Sequence, residues 1–302
     1  MPARERAETR AQATGAARRP DRGGGRLRVP ATKLRAVAPL TVAVLGLGEA
    51  GSAIAGDLVA AGATVRAFDP VADAPEGVEV ADDARGAVAG ADLVLSVNAA
   101  AVAVEVAESA ARGLCAGQVY ADLNTGGPAL KRALAAVVEP AGAAFADVAL
   151  MAPVPRRGLA TPALVSGSGA SGFAARIAPL GMPIEVLGDE AGAAAARKLL
   201  RSVFMKGLAA ACIESVRAAR AAGCEEWMHA EIAEVLTGAD GALLDRLLTG
   251  SARHAQRRIH ELRDARELLA ELGVEARVSA AAEGWLHELE AASESEEALR
   301  GR

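Results

Sequence analysis

The chain has 302 residues, 52% of them hydrophobic and 24% charged, with a net charge of -5. That length suggests two domains of about 150 residues each, and the composition excludes a disordered chain. The acidic balance argues against a general nucleic-acid binder, and no apolar run reaches the ~18 residues of a membrane span, so neither nucleic acid nor membrane is expected as a partner.

Residues 1–38 read as a disordered basic tail, rich in Arg, Gly, Ala and Pro, with Gly23, Gly24 and Gly25 in a row. From Leu40 the pattern becomes regular. LTVAVLG is an apolar run of strand length, GLGEAG is glycine punctuation, and SAIAGDLVAAG reads as a helix stopped at Gly62. ATVRAFD is a second strand, VEVADD a short strand and turn, ARGAVAGA a short helix, and DLVLSVN a buried strand. A helix over AAAVAVEVAESAARGL, a strand over QVYADLN and a helix opened by Pro128 follow, then strand candidates AAFADVALM, PALVSGS and PIEVLGD. Strands that are apolar throughout and alternate with helices predict a doubly wound parallel α/β sheet covered on both faces. Beyond Gly188 the pattern is helical: one long helix to Gly223, then helices near 225–236, 240–249, 251–271 and 276–292, with a fraying end. The expected division is therefore an α/β domain at 39–188 and an all-α domain at 189–302.

Gly46, Gly48 and Gly51 form G-x-G-x-x-G between a strand and a helix. The first glycine permits a tight turn, the second lets backbone approach a pyrophosphate, and the third lets helix and strand pack closely. The helix N-terminus adds free N–H groups and positive potential. Gly46, Leu47, Gly48, Glu49, Ala50 and Gly51 are thus expected to hold a dinucleotide. Asp69, about 20 residues on, can accept hydrogen bonds from a ribose hydroxyl and would repel a 2′-phosphate. No Arg follows it within Pro70, Val71 and Ala72, so NAD is favoured while NADP remains possible. Val97 with Asn98, and Asn124 with Thr125, end strands whose carboxyl ends face the ligand crevice in such sheets. Asn124 and Thr125 can reach a nicotinamide or substrate oxygen, or cap the helix that starts at Pro128.

The motif order resembles the β-hydroxyacid dehydrogenase superfamily, which includes 6-phosphogluconate and 3-hydroxyisobutyrate dehydrogenases. GLGEAGSAIAGDLVAAGATVRAFDP is similar to its cofactor segment, and DLNTGGP (122–128) to its D-x-S-T-x-x-P segment. DVALMAPVP, from Asp147, sits where the family has D-A-P-V-S-G-G, and KLLRS, from Lys198, where it has K-x-x-N-N. The RSVFMKGL helix resembles a branch with a phosphogluconate dehydrogenase-type helical C-terminal domain. The resemblance implies an NAD(P)-dependent oxidoreductase acting on a small hydroxy acid or its oxo acid. Lys198 would be the general acid/base and Asn124 a catalytic partner. Thr125, Arg201, Ser202 and Lys206 would contact substrate, and a homodimer would form through the helical domain. Met151, Ala152 and Pro153 replace the Ser-Gly-Gly loop, and Arg201 and Ser202 replace the two Asn, which leaves the substrate open. Imine reduction and a cofactor-binding sensor without turnover are the alternatives.

On the residues alone, Lys198 could be an ordinary surface lysine, and His254, Arg257 and Arg258 could belong to a salt-bridge-laced surface helix. His229, His254, His260 and His287 lack metal-ligand spacing, so no metal is expected. Cys115, Cys212 and Cys224 contain no C-x-x-C and fit reduced thiols in a cytoplasmic protein.

Overall fold

The computed structural model describes residues 39–300, with side chains to 293. The basic tail expected at 1–38 lies outside the described residues. An eight-stranded sheet carries the N-terminal half in the order β3-β2-β1-β4-β5-β6-β7-β8. The strands are β1 (Thr41–Leu45), β2 (Thr64–Phe68), β3 (Glu79–Val80), β4 (Leu93–Ser96), β5 (Val119–Asp122), β6 (Ala144–Leu150), β7 (Ala163–Ser166) and β8 (Ile184–Val186). The helices among them are α1 (Glu49–Ala60), α2 (Ala84–Val88), α3 (Ala103–Ala111), α4 (Pro128–Val138) and α5 (Ala170–Ile177). Strand order reverses at β1, whose two edges pair with β2 and β4 in parallel register. That reversal is the topological switch point, where ligands bind at the carboxyl ends of strands.

Burial on both faces explains the unbroken apolar strands. Val42 and Val44 of β1 join one core with Ile54 and Leu58 of α1, while Ala43 and Leu45 join a second core with Ala103 of α3 and Leu134 of α4. Successive side chains point to opposite faces, so a strand sandwiched between helix layers needs an apolar residue at each position.

One feature corrects the expectation of a parallel sheet. β7 runs antiparallel to β6, whereas all other pairs are parallel. The connection between them holds only short 3-10 turns at Val154–Arg156 and Gly158–Ala160. A parallel return needs a crossover of a dozen or more residues, usually a helix. The crossover after β7 does contain one, α5, a helix absent from the sequence expectation; Phe173 and Ile177 bury one face of it.

The helical half comprises α6 (Ala193–Ala221), α7 (Glu225–Thr237), α8 (Gly241–Arg253), α9 (Ala255–Glu271) and α10 (Arg277–Arg300). The break expected near Ser251 falls at His254, and the last helix continues to Arg300 in place of the fray expected there. Glu214 of α6 caps α10, accepting from the backbone N–H groups of Val278 (2.6 Å) and Ser279 (2.9 Å). Glu283 of α10 pairs with Arg263 (2.9 Å) and Arg266 of α9. Neither large buried core includes a described residue beyond Met182. The helical half instead leaves Leu200, Val203, Phe204, Leu248 and Trp285 exposed, each by more than 60%.

Candidate active site: a dinucleotide cleft closed by a lysine helix

The Gly-rich turn takes its shape from sterics. Gly46 has φ +106°, and a Cβ there would lie 2.4 Å from the Val97 carbonyl oxygen. A Cβ at Gly51 would lie 2.0 Å from the carbonyl oxygen of Gly46. Gly48 has nothing within 4 Å of a built Cβ, so its backbone faces open space. Gly46 thus makes the tight turn and Gly51 the close packing that the spacing predicted, and Gly48 leaves open space beside them. Gly48 precedes α1, whose first-turn N–H groups have no partner within the helix, and Gly48, Glu49 and Ala50 line a cleft. These residues fit a pyrophosphate.

Asp69 follows β2 and is tied to the same turn. One carboxylate oxygen accepts from Leu47 N–H (2.7 Å); the other accepts from Val71 (2.8 Å) and Ala72 (2.9 Å). Partial burial works to raise its pKa, but the three backbone donors outweigh it and hold the carboxyl below its ordinary value. The group is therefore anionic at neutral pH. It is a loop cap that keeps further lone pairs able to accept a hydrogen bond.

A cleft of about 620 Å³ opens beside this turn. Gly46, Gly48, Glu49, Ala50, Asp69, Val97, Asn98, Asn124, Thr125 and Lys198 line it, with Leu123, Leu150, Ala152 and Val154 as apolar walls. Strand ends, the helix N-terminus and α6, which are far apart in sequence, converge here. Gly51 lies behind the turn, Leu47 is buried beneath it, and the Glu49 side chain is exposed at the rim.

Asn124 is 4% exposed, and its amide serves the strand tips. Its oxygen accepts from Asn98 N–H (2.6 Å), and its nitrogen donates to Asp122 Oδ1 (2.5 Å) and Asn98 Oδ1 (3.0 Å). Asn98 in turn donates to Ser96 Oγ (3.0 Å). Thr125, next along, is exposed in the cleft, and Lys198 Nζ donates to its Oγ1 at 3.4 Å.

Lys198 stands on the second turn of α6. Asp147 Oδ2 accepts from Ala195 N–H (2.9 Å), and Ser166 Oγ from Ala194 N–H (3.0 Å), so the start of α6 is bolted to β6 and β7. Burial of the ammonium lowers the Lys198 pKa; the nearby Lys131 lowers it further, Asp147 opposes, and Arg201 adds a smaller lowering. Arg201 is exposed one turn on, and Ser202 accepts from Lys206 Nζ at 3.1 Å. The structure places none of Arg201, Ser202 and Lys206 among the cleft-lining residues. Arg257 pairs with Glu261 (3.6 Å), and Arg258 donates to Ser251 Oγ (2.8 Å), as in a salt-bridge-laced helix.

Sequence reasoning missed the apolar walls and a buried charge cluster. Lys131 is 1% exposed and meets Asp122 Oδ2 at 2.5 Å and Asp147 Oδ1 at 3.3 Å, both carboxylates being fully buried. A signal was present: Lys131 shares the core stripe of α4 with Leu134, Ala135 and Val138, at the i+3, i+4 and i+7 positions.

Residues 41–154 match the NAD binding domain of 6-phosphogluconate dehydrogenase, and residues 219–289 match a domain of unknown function, DUF1932. A conserved hypothetical protein from Sinorhizobium meliloti 1021, of known structure, is 33% identical, with 82% of this chain and 87% of that chain covered and a TM-score of 0.55. An uncharacterized 28.5 kDa protein of Methanothermus fervidus, from the 7S RNA 5′ region, is 28% identical over 190 residues, 62% of this chain and 71% of that one. The fold is also shared with an imine reductase from Myxococcus stipitatus, solved with NADP+ and, as its V8 variant, with NAD+. Identity is 23% and the TM-score 0.72 in both; the match covers 82% and 83% of this chain, and 93% of each of those. Among the described residues no helix is long and apolar enough to cross a membrane. The Gly-rich turn, Asp69, the doubly wound sheet and the helical C-terminal half therefore agree with the two matches, and the chain is an NAD(P)-binding oxidoreductase of the 6-phosphogluconate dehydrogenase-like family, in the branch that carries a DUF1932 domain.

Proposed function

We propose that the chain is an NAD-preferring dehydrogenase or reductase that moves hydride between nicotinamide and a small anionic hydroxy acid or its oxo acid. The observation that carries this reading is Lys198 in the cleft, 3.4 Å from Thr125 Oγ1. A dinucleotide held by the Gly46–Gly51 turn and Asp69 would supply or accept a hydride with its two electrons. In reduction, hydride adds to the carbonyl carbon and the C=O π pair moves to oxygen. Lys198 gives that oxygen a proton and regains one from water; in oxidation it removes the hydroxyl proton. Asn124 holds the strand tip rather than touching substrate, and Thr125 presents the hydroxyl. Arg201, one turn beyond Lys198, gives the open end of the site a cation suited to a carboxylate.

Imine reduction is the second reading. The Myxococcus stipitatus protein of the same fold is an imine reductase, and the same lysine could protonate the nitrogen of a C=N bond. Incubating the purified protein and NADH with a panel of 2- and 3-oxo acids, with and without added amines, separates the two. Hydroxy acid formed without amine supports the first; turnover that requires amine transfers the proposal to C=N chemistry.

Preference for NAD rests on the anionic Asp69 at the ribose end. Asp69→Asn removes the charge that would repel a 2′-phosphate, while losing the acceptor for Leu47 N–H. The ratio of Kd for NADH to Kd for NADPH is expected to rise about tenfold or more, since placing like charges together costs several kcal/mol. An unchanged ratio in fluorescence titration would remove Asp69 from the discrimination.

We also propose a homodimer through the helical half, supported by the exposed apolar stripe of Leu200, Val203 and Phe204 on α6. Sedimentation is expected to give twice the chain mass for the native protein and a shift to monomer in Val203→Glu/Phe204→Glu. A native monomer would contradict it.

A further inference from the structure

The cluster beneath the lysine end of the cleft does more than fill the core. Lys131 Nζ donates to the backbone carbonyls of Asp122 (3.0 Å) and Asn124 (2.9 Å) as well as to the Asp122 carboxylate. Its three partners on β5 and the turn after it lie at the base of the Asn124–Thr125 step, and Thr125 touches Lys198. Its fourth partner, Asp147, holds the first turn of α6, three residues before Lys198. One buried ammonium thus ties together the two elements that meet at the reacting end of the cleft.

We propose that Lys131 is a positioning residue of the hydride-transfer site: it fixes the Asn124–Thr125 turn against the start of α6, the helix that carries Lys198, and sets its own positive charge near that lysine. The inference rests on Lys198 as the proton-transfer group. Charged groups act on Lys198 from three elements: Lys131 from α4, Asp147 from β6 and Arg201 from α6 itself. Lys131 and Arg201 oppose the protonated form of Lys198, and Asp147 favours it. Removing Lys131 leaves Asp147 less opposed, so Lys198 is expected to bind its proton more tightly. Of the carboxylates that line the cleft, Glu49 opens α1 and Asp69 follows β2.

A buried ammonium lost from between two carboxylates strands charge, and Lys131→Met is expected to lower the melting temperature. The informative variant is Asp122→Asn/Lys131→Met, which fills the same space with neutral groups and keeps Asp147. The experiment measures acetylation of Lys198 by trace acetic anhydride as a function of pH, read by peptide mass spectrometry on the full chain. Only the neutral amine reacts, so the midpoint reports the proton on Lys198 without any substrate. The midpoint in the double variant is expected to lie about one pH unit above wild type, the low end of what a neighbouring charge produces. A folded double variant with the wild-type midpoint overturns the proposal. If Lys198→Met leaves turnover intact, the proton-transfer reading fails separately, while the labelling comparison still decides whether the two lysines are coupled.

Discussion

Lys198→Met is expected to lower turnover by about 10²- to 10⁴-fold, the range for loss of a positioned general acid or base, with NADH affinity close to wild type. The reasons are geometric. Lys198 lines the cleft from α6, whereas the residues that fit the dinucleotide come from the β1–α1 turn, Asp69 and the tips of β4 and β5. Removing the ammonium leaves those groups intact. Burial and Lys131 already place its pKa below the ordinary lysine value. Oxidation, which needs the neutral amine, therefore gains rate with rising pH through a midpoint lower than that of an exposed lysine. Reduction, which needs the ammonium, loses rate through the same midpoint. The check is kcat and kcat/KM against pH in both directions, beside an NADH fluorescence titration of the variant. A variant with wild-type turnover would remove Lys198 from the chemistry. One that fails to bind NADH would show that the residue holds cofactor instead.

The second large effect concerns Gly51. A methyl group there would sit 2.0 Å from the Gly46 carbonyl oxygen, which is backbone and cannot rotate away. α1 must then retreat from the turn, taking its first N–H groups out of line with a pyrophosphate. Gly51→Ala is expected to weaken NADH binding about 100-fold or more, about 2.7 kcal/mol. Stability should fall by about 1–3 kcal/mol from overpacking. Gly48→Ala is the control for position: its Cβ has open space and its φ of -63° suits any residue. Its melting temperature should match wild type while cofactor binding weakens, because the added methyl occupies the approach to the phosphates. Equal melting and equal affinity in Gly51→Ala would mean that the close contact of helix and turn is not what forms the site.

Much of this was legible in the chain because it depends on local pattern. The Gly46-x-Gly48-x-x-Gly51 spacing is a backbone requirement, and the structure meets it with a positive φ and two contacts too short for a Cβ. Strands apolar at every position announced a sheet covered on both faces. What escaped depends on which way the chain turns and on what meets in space. The antiparallel β7 follows from the absence of a helix in 151–162, which PVPRRGLATP does not announce because Pro and Gly suit many loops. α5 was hidden behind Gly167, Gly169 and Gly172, whose density reads as loop although Phe173 and Ile177 lie one turn apart. Lys131 was not singled out in the sequence; only the fold shows that its stripe faces Asp122 and Asp147, 9 and 16 positions away. Asn124 shows the reverse: its place at a strand tip was foreseeable, but its amide is taken up by Asn98 and Asp122. Arg201, Ser202 and Lys206 follow Lys198 on the same helix and are not among the residues that line the cleft.

The central claim is that this cleft moves hydride with Lys198 as proton partner. The most direct measurement is deuteride transfer from NADH labelled at C4 to the active member of the oxo acid panel, with products followed by mass spectrometry in wild type and Lys198→Met. The account predicts deuterium at the former carbonyl carbon with the native protein, and product slowed by at least about 100-fold in the variant. Labelled product formed equally fast by Lys198→Met would contradict it, as would tight NADH binding with no transfer to any oxo acid or imine.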